Sequence, residues 1–139
     1  QAGTYCHALA AALGLSQLAR YREALQRRAD LAAAYRRRIR KVAADCLPDE
    51  ALRTMHFRFP LSIEGGVERV GEAFLKRGVI VRRGVDALLH RAIGHPDTRF
   101  PCSIKHFETS VSLPLYPALT DEEFERCAGA AEAVLGAAL

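Results

Sequence analysis

No two of the four cysteines, Cys6, Cys46, Cys102 and Cys127, stand close together in the chain. Zinc-ribbon sites need ligand pairs a few residues apart, so that class is excluded, and the thiols read as reduced and cytosolic. No apolar run approaches the ~20 residues of a membrane span, and no signal-peptide pattern opens the sequence. There is no glycine-rich phosphate loop; Gly65-Gly66 lacks its spacing and reads as a turn. His90, His95 and Asp97 can each ligate a metal, but they fall in a Gly/Pro loop without a compact motif, and we assign no metal site. Cys102 and His106 lie one helical turn apart, a spacing that fits chance pairing better than a nucleophile and its base. Internal repeats and low-complexity segments are absent.

What is present suits one globular domain. Half of the 139 residues are hydrophobic, and a chain of this size buries about two-thirds of the surface that its unfolded form exposes. The first residue is Gln1 rather than methionine, so a processed or longer parent is expected. The net charge of +4 is uneven: Arg20 to Lys41 holds nine basic residues against Glu23 and Asp30. The run from Arg36 to Lys41 fits the solvated face of an amphipathic helix. No aromatic residues interleave with its arginines, as a stacking platform for single strands requires, and no nucleic-acid partner is expected.

From His7 to Ala44 the chain is helical in character, without proline and with glycine only at Gly14. Leu18, Tyr21, Leu25, Ala32, Tyr35, Ile39 and Val42 form one apolar stripe, with Arg28 the only polar residue in that register. Packing on a sheet or a neighbouring helix fits this stripe better than a coiled-coil seam. A break is expected at Gly14 or Ser16-Gln17. Phe57, Phe59, Leu61 and Ile63 then alternate with polar residues as a half-buried strand does, and Pro60 places that strand at an edge or bulge. Gly65-Gly66 leads into a short helix carrying Val67, Val70, Phe74 and Leu75, which Gly78 ends. Val79-Ile80-Val81 reads as a second strand and Val111 to Leu115 as a third.

Residues 84 to 100 read as a loop with a helical turn near Leu88. Pro101 opens a helix through Phe107. Thr120 and Glu123 have capping-box spacing before a helix burying Phe124, Cys127, Ala128, Ala131, Val134, Leu135 and Ala138. The expected class is α/β of an α+β kind: a small three-stranded, mainly antiparallel sheet, helices on one face, and a long preceding helix. The other sheet face needs a cover that this chain does not obviously supply.

Two segments of this chain resemble one family. Ala11-Ala12-Leu13-Gly14-Leu15-Ser16-Gln17-Leu18, then Arg27-Arg28 and Ala34-Tyr35, resembles "AALGLAQL … RR … Y"; Val111 to Glu123 resembles "LSLPLYPGLTDEE". Glu68 to Val81 resembles the helix ending in "L…RGI" between them. All three belong to the DegT/DnrJ/StrS sugar aminotransferases, pyridoxal phosphate (PLP) enzymes of fold type I. The resemblance implies a C-terminal small domain: residues 1–45 as connecting helices, and residues 46–139 as the small α/β domain.

That family transfers an amino group to a nucleotide-linked keto sugar through a Schiff-base lysine in an upstream large domain. None of Lys41, Lys76 and Lys105 matches that lysine, so no catalytic residue is assigned and no cofactor is expected on this chain alone. Where the family carries an "NYRM"-type stretch reaching the PLP phosphate of a neighbouring subunit, this chain has Gly3-Thr4-Tyr5-Cys6-His7-Ala8. Thr4, Tyr5 and His7 are the candidate phosphate donors. The family's "HYP"-like substrate motif is replaced by Arg82 to His90, in which Arg82, Arg83 and His90 are candidates for a nucleotide diphosphate or ordinary surface charges. The implied partners are a second copy or a large-domain chain, together with the nucleotide sugar. The alternative is a separately encoded or degenerate domain that dimerises or binds a nucleotide-linked ligand.

Overall fold

The computed structural model describes residues 7–49 and 55–138. Two helices open the chain, α1 (His7–Ala19) and α2 (Tyr21–Ala43), followed by a 3-10 turn at Ala44–Cys46. Then come β1 (Phe59–Ser62), α3 (Gly66–Leu75), α4 (Leu89–Ala92), a second 3-10 turn at Asp97–Arg99, α5 (Pro101–Thr109), β2 (Ser110–Leu113) and α6 (Asp121–Ala138). The expected break after a short first helix occurs, but later than Gly14 and Ser16-Gln17: α1 runs through both and the chain turns at Arg20, whose N–H bonds the Gln17 carbonyl at 3.1 Å. One exposed glycine among alanines and leucines costs a helix only about 1 kcal/mol, which its neighbours offset.

β1 and β2 pair antiparallel, with Phe59 opposite Leu113 and Leu61 opposite Val111. The third expected strand, Val79 to Val81, forms no ladder; only Arg82 bridges to Ser112. The reason lies in the helix before it. Gly78 takes φ +73 to close α3, and the Val79 N–H is spent on the Phe74 carbonyl at 3.1 Å. The segment reaches pairing register only at Arg82. Ser112 therefore directs its N–H and C=O toward Arg82, so its pairing with Pro60 across the ladder is a non-hydrogen-bonded one. Pro60, which has no N–H, costs the sheet no bond there and lies at its edge, as expected.

Period two divides the sheet. Phe59, Leu61, Ile63, Val79, Val81, Val111 and Leu113 are all buried on the inner face. There they meet α2, α3 and α6, with α6 packing along α2 and α3. The expected apolar stripe is used only in its middle: Ala32, Tyr35 and Ile39 of α2 are buried, while Leu18 of α1 and Tyr21 and Val42 of α2 stay exposed. Every described side chain of α1 is exposed as well.

Polar bonds then tie α2 to the far end of the chain. Arg27 Nη2 donates to the Leu119 carbonyl at 3.0 Å and to Asp121 at 2.6 Å. Tyr35 Oη donates to the Pro114 carbonyl at 3.0 Å, its ring packed between Phe59 and Phe124. Arg38 Nε and Nη2 grip the Glu132 carboxylate at 2.8 and 2.6 Å, so part of the basic run bonds α6 rather than solvent. Thr120 and Glu123 close the expected capping box: Glu123 N–H donates to Thr120 Oγ1 at 3.2 Å, and Thr120 N–H to Glu123 Oε2 at 2.9 Å.

Two measurements check these joints. Thr120→Ala should lower unfolding stability by about 1 kcal/mol and Thr120→Ser should be near neutral, since only the hydroxyl caps the helix. Equal losses in both would place the helix start elsewhere. Tyr35→Phe keeps the ring and removes the donor to the part-buried Pro114 carbonyl, so urea denaturation should show a loss of about 1 kcal/mol.

Candidate functional site

Residues 84–100 form a strap beside the sheet, and the alternation of extended backbone separates the candidate side chains at its start. Arg82 N–H bonds the Ser112 carbonyl at 3.3 Å, and Ser112 N–H returns to the Arg82 carbonyl at 2.7 Å. Directly opposed residues share a face, so Pro60, Ser112 and Arg82 form a row on the outer side of the sheet. The next residue, Arg83, is committed elsewhere. Its guanidinium pairs with the Glu68 carboxylate and lies over the Phe107 ring at 4.5 Å. Arg91 also lies over Phe107, at 5.4 Å.

His90 is 7% exposed and stacks on Phe100 with ring centroids 4.5 Å apart. Its Nε2 meets Asp97 Oδ1 at 2.9 Å, while Arg91 forks onto the same carboxylate through Nε at 2.9 Å and Nη2 at 2.7 Å. Arg83 and His90 thus have partners within the chain, and both hold the strap. The His95 N–H donates to the His90 carbonyl at 2.8 Å, but its imidazole Nδ1 lies 3.5 Å from Arg99 Nη1 and does not join His90 on the Asp97 carboxylate. Among the described residues no three His, Cys, Asp or Glu side chains gather as a metal site would require. Thr4 and Tyr5 lie outside the described residues, and His7 opens α1. Cys46, Cys102 and Cys127 are free thiols.

Arg82 lines a shallow groove of about 350 Å³ with Arg28, Phe57, Arg58, Ile80, Ser112 and Tyr116. Arg28 Nη1 donates to the carbonyls of His56 (3.2 Å), Phe57 (3.1 Å) and Leu115 (3.4 Å). It fixes a turn in which His56 takes the left-handed φ of +49. Phe57 was expected on the inner phase of the strand. The strand starts two residues later, and the ring is 63% exposed with the Arg28 and Arg58 guanidinia 5.7 and 5.8 Å from its centroid. Ser112 is 5% exposed, and its Oγ has no hydrogen-bond partner among the described residues. Among the described residues no carboxylate lines the groove. Sequence reasoning missed Phe57, Arg58, Ser112 and Tyr116. The legible signal was Ser112, which shares the polar phase of its strand with neither Val111 nor Leu113.

The strap yields a pH prediction. The Arg91 fork, aided by His90, holds the Asp97 carboxyl at about 2, below the ~3.9 of an unfolded chain. Because the folded value is the lower one, Asp97 stabilises the fold fully above its unfolded value, and that contribution is lost as pH falls through about 2. Asp97→Asn should therefore be less stable than the parent at pH 7, and the gap should close between pH ~4 and ~2. Chemical denaturation along that pH series checks it; a gap constant with pH would place the loss in packing.

Residues 6–132 match the DegT/DnrJ/EryC1/StrS aminotransferase family. Solved structures share the fold. The aminotransferase TlmJ from Streptoalloteichus hindustanus is 27% identical, with a TM-score of 0.78 over 92% of this chain and 36% of that one. Spr1654 from Streptococcus pneumoniae, in a PMP-form, is 24% identical, with a TM-score of 0.74 over 91% of this chain and 34% of its own. PseC from Helicobacter pylori, an aminotransferase involved in the biosynthesis of pseudoaminic acid, is 19% identical, with a TM-score of 0.69 over 91% and 36%. No curated protein matches in sequence. The chain spans about a third of the length of these solved structures. By its family match, which takes in both end segments and the helix between them, the chain belongs to the PLP-dependent DegT/DnrJ/EryC1/StrS aminotransferases.

Proposed function

We propose that this chain is the C-terminal domain of an aminotransferase acting on a nucleotide-linked keto sugar, shaping the substrate site without being catalytic alone. The observation that carries this reading is the family match joined to the position of the lysines. Lys41, Lys76 and Lys105 are exposed, and Lys76 Nζ pairs with Glu72 at 2.8 Å on open surface. None has the enclosed setting that a PLP-bearing lysine needs, so these residues do not fit the cofactor. The PLP belongs, in this proposal, to the large-domain part of a longer chain or to a separate subunit. Thr4, Tyr5 and His7 remain the candidates for the phosphate of a neighbouring subunit's PLP.

The exposed surfaces support the same division of labour. Leu9, Leu13, Leu15 and Leu18 of α1 are 63–78% exposed, an unpartnered apolar helix that a large domain or second copy would cover. No helix among the described residues is long and apolar enough to cross a membrane, and the free thiols fit a cytoplasmic setting. A second reading, a self-standing binding or dimerising domain, is favoured by one observation: α2 buries Ala32, Tyr35 and Ile39 within the chain itself.

The test pairs two samples. The native protein from its host, with its true chain length established by mass spectrometry, should transfer an amino group from glutamate or glutamine to a nucleotide-linked keto sugar. The 139-residue chain alone should not, and on incubation with PLP it should show no lysine-linked visible absorption band. A stable band abolished by Lys76→Ala or Lys105→Ala would overturn the reading, as would a native protein no longer than this chain that transfers amino groups unaided.

A further inference from the structure

Along the outer side of α2 the charges are sorted by sign. Glu23 and Asp30 stand in its first half, Arg37 and Lys41 in its second, and all four are exposed. Residues seven apart fall on nearly one line of a helix, so Glu23, Asp30 and Arg37 form a row, which Lys41 extends one turn beyond Arg37. Ala33, also exposed, lies beside the row near its midpoint.

Neither the helix dipole nor pairing within α2 accounts for this row. The dipole favours acids in the first turn and bases in the last, which covers Glu23, Arg40 and Lys41. That effect fades within one turn and does not reach Asp30 or Arg37. The residues three and four away from Arg37 are Ala33, Ala34, Arg40 and Lys41, none of them acidic. Asp30 is about 10 Å from Arg37 along the axis, and its carboxylate accepts only a neutral donor, Gln26 Nε2 at 2.9 Å, among the described residues. Arg37 makes no hydrogen bond or ion pair among the described residues. Its neighbours turn away: Arg36 Nη1 donates to the Pro48 carbonyl at 2.9 Å, and Arg38 grips Glu132.

A chain of net charge +4 repels its own copies over most of its surface. A row reading acid, acid, base, base is the exception, because turning one copy end for end sets acids against bases. We propose that two copies of this chain pair through the outer side of α2, antiparallel, with a twofold axis near Ala33. Asp30 of each copy then meets Arg37 of the other, and Glu23 meets Lys41, so every contact occurs twice as an isologous interface requires. The small Ala33 side chains let the two helices approach closely at the axis. Beside Ala33 a hollow of about 610 Å³, lined by Arg36, Arg37, Arg38, Arg40 and Lys41 with no carboxylate among the described residues, receives the acidic half of the second copy. Exposed ion pairs are individually weak, so the dimer is salt-sensitive and its charges serve chiefly to fix orientation. This surface lies apart from the α1 leucines, and the pairing needs neither cofactor nor substrate.

Sedimentation of the 139-residue chain over a concentration series tests this. A dimer should form at low salt and weaken by about tenfold or more at about 0.5 M salt. Glu23→Lys with Asp30→Lys makes the row wholly basic, and Arg37→Glu with Lys41→Glu makes it wholly acidic. Each double variant alone should lose the dimer, with circular dichroism confirming that both fold. An equimolar mixture of the two should recover it as a heterodimer. A chain carrying all four substitutions, with the order of signs inverted, should dimerise like the parent. A parent that stays monomeric at low salt overturns the proposal. So does a dimer that survives both double variants or tightens with salt, since its contact then lies on the α1 leucines. Loss in only one double variant, or a mixture that stays monomeric, overturns the antiparallel pairing as well.

Discussion

The fold hangs on a row of donors along α2 that satisfies the carbonyls of the Pro114–Leu119 segment. That segment leaves the sheet and reaches α6 through two prolines, so it has little regular hydrogen bonding of its own. Its carbonyls sit at the rim of the core, where an unmet acceptor is costly. Arg27 takes Leu119 and Asp121, Arg28 takes Leu115, and Tyr35 takes Pro114. Because α2 is a rigid helix, those bonds fix the end of β2, the start of α6 and the turn before β1 in one frame. The buried faces of Tyr35, Phe59 and Phe124 then close around the same point.

This explains why the two end segments that carry the family resemblance go together. "RR … Y" and "LPLYP…LTDEE" are far apart in sequence and bonded to each other in space. The bonds fall on main-chain carbonyls, so the turn must keep its backbone path while several of its side chains face solvent. Leu115 and Leu119 are buried, whereas Tyr116 and Ala118 are not. The pattern reads as packing and polar satisfaction first, with chemistry supplied elsewhere.

Most of the regular structure was legible because it rests on period and caps: the α6 face, the Thr120 box, the α5 start at Pro101 and the Pro60 edge. Arg28 was not. Read as a polar gap in an apolar stripe, it keeps that register half-buried because a guanidinium can end on carbonyls while its stem packs among apolar groups. The third strand was misjudged because Val79 to Val81 has the composition of a strand and the burial of one. Strand pairing depends on where N–H groups are free, and composition does not record that. Phe57 was misplaced for a related reason: alternation says which face a strand residue takes, but not where the strand begins.

Among the candidate site residues, sequence proximity misled in a specific way. Arg82 and Arg83 are neighbours, so one loop near phosphate seemed to own both. Extended backbone sends neighbours to opposite sides, and the two environments are opposite in charge. Arg83 meets Glu68 and an aromatic ring; Arg82 lines a groove with Arg28, Arg58 and a Ser112 hydroxyl that has no partner among the described residues. Like charges gathered at about the spacing of a groove raise its potential, and the fold tolerates this only where water screens them or where a ligand brings the missing negative charge. The inner face is closed by the chain itself, so the core does not need the outer face covered. That independence allows the outer face to carry arginines that meet no carboxylate and a hydroxyl with no partner among the described residues, beside an exposed aromatic pair, without unfolding the domain. The same freedom extends to α1, whose leucines the core does not use, and both surfaces are therefore open to be shaped by whatever the domain contacts.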